Sequence, residues 1–352
     1  MLIMKFLKQV LGVDVAQKEL VVTLGRVNDD LKVELYLYRV FQNGEKGFVA
    51  LLKWLKKETD NSVKLQVVME ATGVYHQKFA YFLADNKIDL SIVLPNKISN
   101  FIRTLEIKTI TDKSCSQAIA RFGLERNLDN WTKPNKLYKT LQQFTRERDQ
   151  IVAERVTVKN QIHAEETEVE PNKKSLKRLK ERLKLLNKQE KEIKSDIQKC
   201  LDSNETVKQI VENICTIPGV GQLTAVIILA ETNGFELIKN KKQLVSYAGF
   251  DIMEKQSGTS VNGKPRISKK GNRFLRKAMH LPSLSSVKTS IPHKDLYARV
   301  TARSGVKMKG LIAVQRKLLE LIYVIYKSKT VYEQDYEEKK RVQLQVTDTL
   351  TN

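Results

Sequence analysis

The sequence predicts an α/β domain at the N-terminus and an all-α remainder. In the N-terminal third, apolar stretches of strand length are interleaved with stretches of helical spacing, which is typical of a mixed sheet with helices packed on it. Two long apolar series in heptad spacing follow, and helical periodicity returns near the C-terminus. The chain has 352 residues, enough for two or three domains with buried cores.

The charge of the chain indicates the class of partner. Lysine and arginine number 62 against 40 aspartates and glutamates, and the net charge of +22 favours nucleic acid or another anionic surface. No apolar run approaches the roughly 20 residues that span a membrane, and the N-terminus lacks a signal-peptide cleavage pattern. We therefore expect a cytoplasmic protein without membrane contact. The 3 cysteines and 4 histidines are scattered, which argues against a zinc site.

The first domain is predicted as a series of strands and helices. Strands are expected at 10–16, 20–24, 33–38, 65–70 and 88–94, and helices at 45–57, 79–86 and 114–122. Pro95 is expected to stop the last strand.

Two of these strands carry a carboxylate at or near the end. Asp14 and Glu70 follow separate apolar stretches, so a sheet can bring both to one edge, and Asp112 precedes the helix expected at 114–122. Clustered carboxylates repel each other, so their grouping favours a divalent cation, and hard oxygen ligands suit Mg²⁺. The alternative for Asp112 is that it only caps the helix.

Residues 135–203 predict a hairpin of two long helices. Apolar residues recur in steps of four and three on both sides of a break at Pro171, as in an antiparallel coiled coil that projects from the body. Arg148 and Arg155 interrupt the first series, and Glu190 is the polar exception in the second. The charged flanks are either a solvated face without a ligand or part of a dimerisation arm that also touches nucleic acid.

Residues 216–225 (TIPGVGQLTA) predict a tight turn that leads into a helix. Pro218 fixes one dihedral angle, and Gly219 and Gly221 permit positive φ and close approach of the backbone. The free N–H groups at such a helix start suit phosphate oxygens, so both glycines are candidate nucleic-acid contacts. The alternative is a turn with a purely structural role.

Ser257 lies beside Gly258 and ahead of a cationic run. A hydroxyl among lysines and arginines suits phosphoryl transfer, which needs a nucleophile and positive charge to stabilise an oxyanion. Ser260 and Ser268 are competing hydroxyls, and a Ser-Gly pair is also common in ordinary loops. The cations expected to bind nucleic acid are Lys264, Arg266, Lys269, Lys270, Arg273 and Arg276.

The remaining sequence completes the expected domain division. Residues 307–329 have helical periodicity, and residues 333–352 are polar and expected to be disordered. The predicted domains are 1–130, 131–206 and 207–332, followed by the tail 333–352.

The order and spacing of these features resemble the IS110/IS1111 group of insertion-sequence transposases, which are of the DEDD type. In the C-terminal part the resemblance includes 217–221 (IPGVG), 247–249 (YAG), 257–258 (SG) and 267–276 (ISKKGNRFLR). In the N-terminal part it includes 12–15 (GVDV), 70–73 (EATG) and 108–113 (KTITDK).

This resemblance implies a RuvC/RNase H-like first domain in which four acidic residues bind divalent metal. Asp14, Glu70 and Asp112 match the first three positions, and the fourth position is Cys115. Either three carboxylates suffice, or water and Ser114 or Ser116 complete the shell, or metal binding is weakened; a soft thiolate is a poor ligand for Mg²⁺. The last domain is expected to be helical, with a helix-hairpin-helix-like turn.

The resemblance also implies a function. Ser257 attacks a DNA phosphate and forms a covalent link, Mg²⁺ assists, a homo-oligomer (dimer or tetramer) forms, and a non-coding bridge RNA selects donor and target DNA. One alternative is a metal-dependent junction nuclease that uses water instead of Ser257. Another is a catalytically decayed nucleic-acid-binding relative, which the cysteine at position 115 keeps open.

Overall fold

The chain folds into two compact units, 1–133 and 134–352. A computed structural model describes residues 6–71, 73–236, 238–258 and 260–333, without the side chains of Lys255, Val261, Asn262 and Lys264. Most of the tail expected to be disordered, 334–352, lies outside the described residues. The hairpin predicted at 131–206 falls in the same unit as the helices that follow it.

The first unit is a five-stranded mixed sheet with helices on its faces. Its elements are β1 (Phe6–Val15), β2 (Glu19–Asn28), β3 (Val33–Gln42), α1 (Glu45–Glu58), β4 (Leu65–Glu70), α2 (Gln77–Asp85), β5 (Asp89–Val93), α3 (Pro95–Ile102) and α4 (Asp112–Glu125). The strand order is β3-β2-β1-β4-β5; β2 is antiparallel to β1 and β3, whereas β4 is parallel to β1 and β5. The α/β class and every strand predicted in this unit are confirmed. Helix α3 was not predicted, and it begins at Pro95 because proline is well tolerated in the first turn of a helix.

The two faces of the sheet bury separate cores. Leu11 and Val13 of β1 pack in the core that includes residues of α1 and α2. Val10 of the same strand packs with residues of α3 and α4 on the other face. This alternation follows from the two-residue period of a strand, and it places α4 directly on the central strand β1.

Gly12 permits this close packing of α4. A Cβ at position 12 would lie 2.2 Å from the backbone nitrogen of Ala120 and 2.5 Å from the carbonyl oxygen of Ser116. Backbone atoms cannot move aside as the end of a flexible side chain can, so no larger residue fits. Thr23 and Ser116 add a buried hydrogen bond of 2.8 Å between their hydroxyls beside this contact.

The second unit is mainly helical. Its elements are α5 (Lys136–Thr167), α6 (Lys173–Asp202), α7 (Glu205–Cys215), α8 (Gln222–Glu231), α9 (Lys241–Ala248), β6 (Ile252–Ser257), β7 (Val261–Ile267), α10 (Arg273–Ala278), α11 (His280–Thr289), α12 (Ile291–Ser304) and α13 (Lys307–Ser328). The helix predicted at 307–329 is confirmed. The antiparallel β6–β7 pair was not predicted and makes the remainder of the chain not purely α-helical. In the described residues, no helix combines the length and apolar character needed to cross a membrane.

Helices α5 and α6 form the predicted hairpin. The heptad residues of the two helices bury together, including Ile151 and Val158 of α5 and Ile193 and Ile197 of α6. The apolar residues of this seam are buried against each other within one chain. Oligomerisation through the hairpin therefore stays a prediction.

The polar interruptions of the two heptad series meet each other. The buried Glu190 carboxylate accepts a hydrogen bond from Arg148 at 2.8 Å, pairs with Arg155, and lies 3.2 Å from Lys194. Burial works to raise the pKa of Glu190, but the Lys194 hydrogen bond and the positive charges of Arg148, Lys194 and Arg155 outweigh it and lower the pKa. A buried carboxylate shared by two arginines fixes one register of the helices.

We expect Glu190→Ala to destabilise the chain at neutral pH by about 1–3 kcal/mol, because it leaves two half-buried guanidinium groups without their acceptor. Chemical denaturation followed by circular dichroism measures the loss. Because the pKa of Glu190 is lowered in the folded state, its contribution is present above the ordinary glutamate pKa and is lost as the pH falls through the lowered value.

The matched control is Glu192→Ala on the same helix. Glu192 is more than half exposed and lies 3.6 Å from Lys188, so its loss should change stability little. Equal effects of the two substitutions at neutral pH would contradict the role assigned to Glu190.

Candidate functional site

The sheet brings Asp14 and Glu70 to the same edge. Strands β1 and β4 are parallel neighbours, and their last registered pair is Val13 with Met69. Asp14 and Glu70 are the next residue of each strand. Both side chains are half-buried. The expectation that two strand ends carry adjacent carboxylates is met by this register.

Helix α4 brings Asp112 to this edge as well. The N-cap of α4 is Thr111, which forms a capping box with Ser114. Asp112 is therefore the first residue of the helix and not its cap. Within the described residues, no hydrogen bond or ion pair engages the Asp112 carboxylate, so it remains available for another partner.

Asp14 lies near enough to Asp112 and Glu70 for both of their charges to affect it. Burial, then the negative charges of Asp112 and Glu70, raise the pKa of Asp14 from 3.8 to about 6, against a small opposing effect of the Val15 backbone hydrogen bond. Burial also raises the pKa of Glu70. Asp14 and Glu70 are thus partly desolvated, and like charges act on Asp14.

Cys115 belongs to the same cluster. Burial, then the charges of Asp14, Glu70 and Asp112, raise the pKa of its thiol. The side chain is half-buried and reduced. A neutral thiol adds no negative charge where a fourth acid would, so the cluster has three potential charges instead of four.

The donor set fits a divalent cation of the hard class. Three carboxylates supply oxygen ligands, and their mutual repulsion is relieved by a cation between them. In the part of the chain that the structure describes, no three acidic, histidine or cysteine groups are already arranged to hold an ion, so the side chains must move inward on binding.

The two serines considered as additional ligands are engaged elsewhere. Ser114 accepts a hydrogen bond from the backbone N–H of Thr111 at 2.8 Å as part of the capping box. Ser116 is fully buried and bonded to Thr23 and to the Lys113 carbonyl. Water is therefore the better candidate to complete the shell.

In the second unit, the two glycines of the 216–225 turn differ in their roles. Gly219 has a φ of +88°, and a Cβ there would lie 2.7 Å from the carbonyl oxygen of Pro282, so this glycine is required by packing against α11. Gly221 was expected to permit positive φ, but it is an extended N-cap with a φ of −99°. No atom would meet a Cβ at Gly221 within 4 Å, so the open part of the turn is at the start of α8.

Ser257 lies at the end of an exposed hairpin. It is the last residue of β6, paired opposite Val261, and its side chain is exposed. Gly258 follows with a φ of +55° and open space around it, which leaves room for a phosphate. Ser260 is also exposed in this turn. Ser268, in contrast, is half-buried; it donates a hydrogen bond of 2.7 Å to Asp251 and accepts one of 3.2 Å from the backbone N–H of Lys270, so its hydroxyl has partners within the loop.

The predicted cationic contacts fall into two groups. Arg276 donates a hydrogen bond of 2.7 Å to the Ala248 carbonyl and is half-buried, so the structure gives it a role in packing. The side chain of Lys264 lies outside the description. The exposed members are Arg266, Lys269, Lys270 and Arg273.

A buried carboxylate that was assigned no role organises this cationic segment. Glu231, at the end of α8, accepts two hydrogen bonds from Arg146 at 2.7 and 2.8 Å and one from Asn272 at 2.7 Å. Asn272 also caps α10. Two features of the sequence could have indicated this contact. Glu231 is an acidic residue directly after the apolar run 226–230, and Asn272 is an asparagine directly before a helix. Glu231 thus connects α5, the first helix of the α5–α6 hairpin, to the segment that carries the exposed cations.

Comparisons with known proteins agree with this arrangement of parts. Residues 211–298 match the model of the Transposase IS116/IS110/IS902 family, and residues 11–171 match a DEDD-type IS110 transposase model.

The relatives include two named proteins. The chain is 25% identical over 303 residues to the pilin gene-inverting protein of Moraxella lacunata, which covers 85% of this chain and 91% of that protein. It is 28% identical over 120 residues to an uncharacterized 43.6 kDa protein of insertion element IS110 from Streptomyces coelicolor, covering 34% of this chain and 29% of that protein. Among solved structures, T. thermophilus RuvC in complex with a Holliday junction substrate aligns with a TM-score of 0.26 and 12% identity, over 35% of this chain and 99% of that one.

We expect Mg²⁺ to raise the thermal midpoint of unfolding of the wild-type chain at about pH 7.5 and to raise it much less at about pH 5. Because the pKa of Asp14 is raised to about 6, its carboxyl holds a proton below that pH, and a cation must displace this proton. Asp14→Asn should abolish most of the response. Without Mg²⁺ and above pH 6, it should instead stabilise the chain, because it removes one of the repelling charges.

The controls separate the cluster from general charge effects. Asp30→Asn makes the same chemical change at an exposed turn position and should keep the wild-type response. Cys115→Ala should also keep it, and Cys115→Asp should equal or exceed it. A response that survives Asp14→Asn, or is lost with Cys115→Ala in a folded chain, would contradict the carboxylate site.

Proposed function

The chain belongs to the IS110 family of transposases, and on that basis we propose that it cleaves and rejoins DNA with Ser257 as nucleophile and a divalent cation held by Asp14, Glu70 and Asp112. Enzymes of this DEDD class use a divalent metal, typically Mg²⁺. The observation that carries the serine assignment is the exposed Ser257 side chain beside the open Gly258, ahead of exposed cations.

The proposed reaction conserves phosphodiester bonds. The Ser257 oxygen bonds to phosphorus while the bond from phosphorus to one deoxyribose oxygen breaks. The serine proton is lost and the departing oxygen gains one. In the second half, a hydroxyl from another strand end attacks the phosphoserine, forms a new phosphodiester bond and restores the serine. No hydrolysis and no external energy source are needed.

The carboxylate cluster contributes by binding the cation. When bound there, Mg²⁺ supplies positive charge that stabilises a phosphate and makes an oxygen nucleophile easier to deprotonate. Asp14, Glu70 and Asp112 bind and orient it, and the half-buried setting of Asp14 and Glu70 limits screening by water. Because the thiol of Cys115 is neutral, only these three carboxylates supply negative charge to bind the cation.

The exposed cations of the second unit support the same proposal. Arg266 lies in β7, Lys269 and Lys270 lie between β7 and α10, and Arg273 is the first residue of α10. Glu231 holds this segment through Asn272. They would contact phosphates and stabilise charge that develops on them. Gly221 and the start of α8 supply backbone N–H groups for a further phosphate contact.

The assembly and its guide belong to the proposal as well. DNA is the substrate of a transposase, and we extend this to donor and target DNA, a non-coding bridge RNA and a homo-oligomer of two or four chains. The net charge of +22 is compatible with both nucleic acids.

One rival function has a specific observation in its favour. Asp14, Glu70 and Asp112 form a cluster that could serve a nuclease using water, without any role for Ser257. Such an enzyme would act on branched DNA and leave no covalent intermediate.

We expect Ser257→Ala to bind DNA and RNA like the wild type, to lose strand exchange by at least about 10³-fold, and to form no covalent adduct, because no other atom replaces the nucleophile. Gel analysis of labelled duplexes under denaturing conditions measures both the exchange product and the adduct.

Ser260→Ala is the matched control, since it removes an equally exposed hydroxyl from the same turn. It should retain at least part of both activities. An adduct that persists in Ser257→Ala and vanishes in Ser260→Ala would identify Ser260 as the nucleophile. Active wild-type enzyme without any adduct would support the nuclease.

A further inference from the structure

Helix α6 is much more basic than the helix beside it. It contains 11 lysines and arginines against 5 aspartates and glutamates, whereas α5 contains 6 against 5. The two helices share one apolar seam, and α5 also packs against α8. Packing determines how many positions are apolar, but it does not determine the sign of the charged ones. The excess on α6 is therefore not explained by the packing of the hairpin.

The lysines of α6 form a continuous stripe along one face. Successive members are three or four residues apart, which places their side chains above one another on a helix. All are exposed, and the stripe extends over about 27 Å at 1.5 Å per residue. The members of this α6 lysine stripe are Lys173, Lys177, Lys180, Lys184, Lys188 and Lys191.

Most of this charge is not neutralised within the chain. Lys180 lies 2.8 Å from Glu166, and Lys188 lies 3.6 Å from Glu192. Within the described residues, the other four members of the stripe form no ion pair. An open groove of ≈ 510 Å³ runs along the first part of the stripe, between Lys173 and Lys184. A row of ammonium groups that are mostly without ion pairs, beside a groove, is complementary to a row of phosphates.

We propose that the α6 lysine stripe is a docking surface for the phosphate backbone of duplex DNA, separate from the cations near Ser257. The inference rests on the proposed function, because it names a second place where the same substrate is held. Lysines act as point charges without bidentate geometry, so the stripe positions the duplex and does not read its sequence.

The composition of α6 favours a duplex over unpaired strands. Proteins that hold single-stranded nucleic acid or RNA loops stack bases on aromatic side chains. Helix α6 contains no phenylalanine, tyrosine or tryptophan. The stripe is also supported from behind, because Glu190 and its two arginines fix α6 against α5. A rigid row of charges suits a regular duplex better than a folded RNA of irregular shape.

The test is a fourfold substitution of the unpaired members, Lys173→Gln, Lys177→Gln, Lys184→Gln and Lys191→Gln. Glutamine keeps helix propensity and removes charge. The matched control replaces four exposed lysines of α1 in the same way, at positions 46, 53, 56 and 57. Both variants of the full chain lose the same net charge. Circular dichroism checks that both remain folded.

The measurement is fluorescence anisotropy with a labelled duplex in EDTA, over a range of salt concentrations. Each lost phosphate contact reduces the slope of log affinity against log salt by about 0.9, so the stripe variant should lose about 3–4 from the slope, and the α1 variant much less. A hairpin RNA probe should show a smaller change for the stripe variant than the duplex does.

Any other result contradicts either the role of the α6 lysine stripe or the proposed function itself. Equal slope changes in the two variants mean that only net charge matters, and the proposal fails. A change confined to the RNA probe overturns the assignment to DNA. If the wild-type chain does not bind duplex DNA at all, the proposed function is contradicted. If the wild-type chain binds duplex DNA and the stripe variant binds it equally well, only the role of the stripe is contradicted.

Discussion

Helix α4 can lie directly on the central strand of the first sheet only because residue 12 is glycine. A single added carbon would be 2.2 Å from the backbone of Ala120. This contact holds the start of α4 near the end of β1, and so sets Asp112 beside Asp14. The parallel register of β1 and β4 adds Glu70. The charge cluster is thus a consequence of backbone packing, and its raised pKa values are the electrostatic cost of that placement.

In the second unit, a buried carboxylate, instead of a close backbone contact, positions the functional segment. Glu231 is buried and shared by Arg146 of α5 and Asn272 before α10. An unpaired buried carboxylate would be costly, so both partners are held in place. The hairpin and the cationic segment are in this way fixed to α8. Charges that would otherwise be mobile on a loop are presented from a defined backbone.

Local patterns in the sequence predicted most elements, and long-range contacts account for the remainder. The strands of the first unit and the two long helices follow from apolar periods of two and of three to four residues. Arg148, Arg155 and Glu190 were visible only as separate interruptions, because periodicity does not show which interruptions face each other.

The candidate site was predictable to a similar degree. Strand ends and the family resemblance predict the three carboxylates, whereas the packing of Gly219 against α11 depends on a long-range contact that the sequence does not show. The β6–β7 hairpin was not predicted because its strands are mainly polar in sequence and lack an apolar period; most of their described side chains are exposed. Helix α3 was not predicted because a proline after a strand can either end the strand or begin a helix, and here Pro95 does both.

The central claim is that one serine forms a metal-assisted covalent link to DNA. The most direct measurement is mass spectrometry of peptides that remain attached to DNA after proteolysis of wild-type reactions, with Mg²⁺ and with EDTA. The account predicts a single attached peptide whose phosphoryl group is on Ser257, formed with Mg²⁺ and absent with EDTA. Attachment at another residue, attachment that is indifferent to EDTA, or DNA cut without any attached peptide would contradict it.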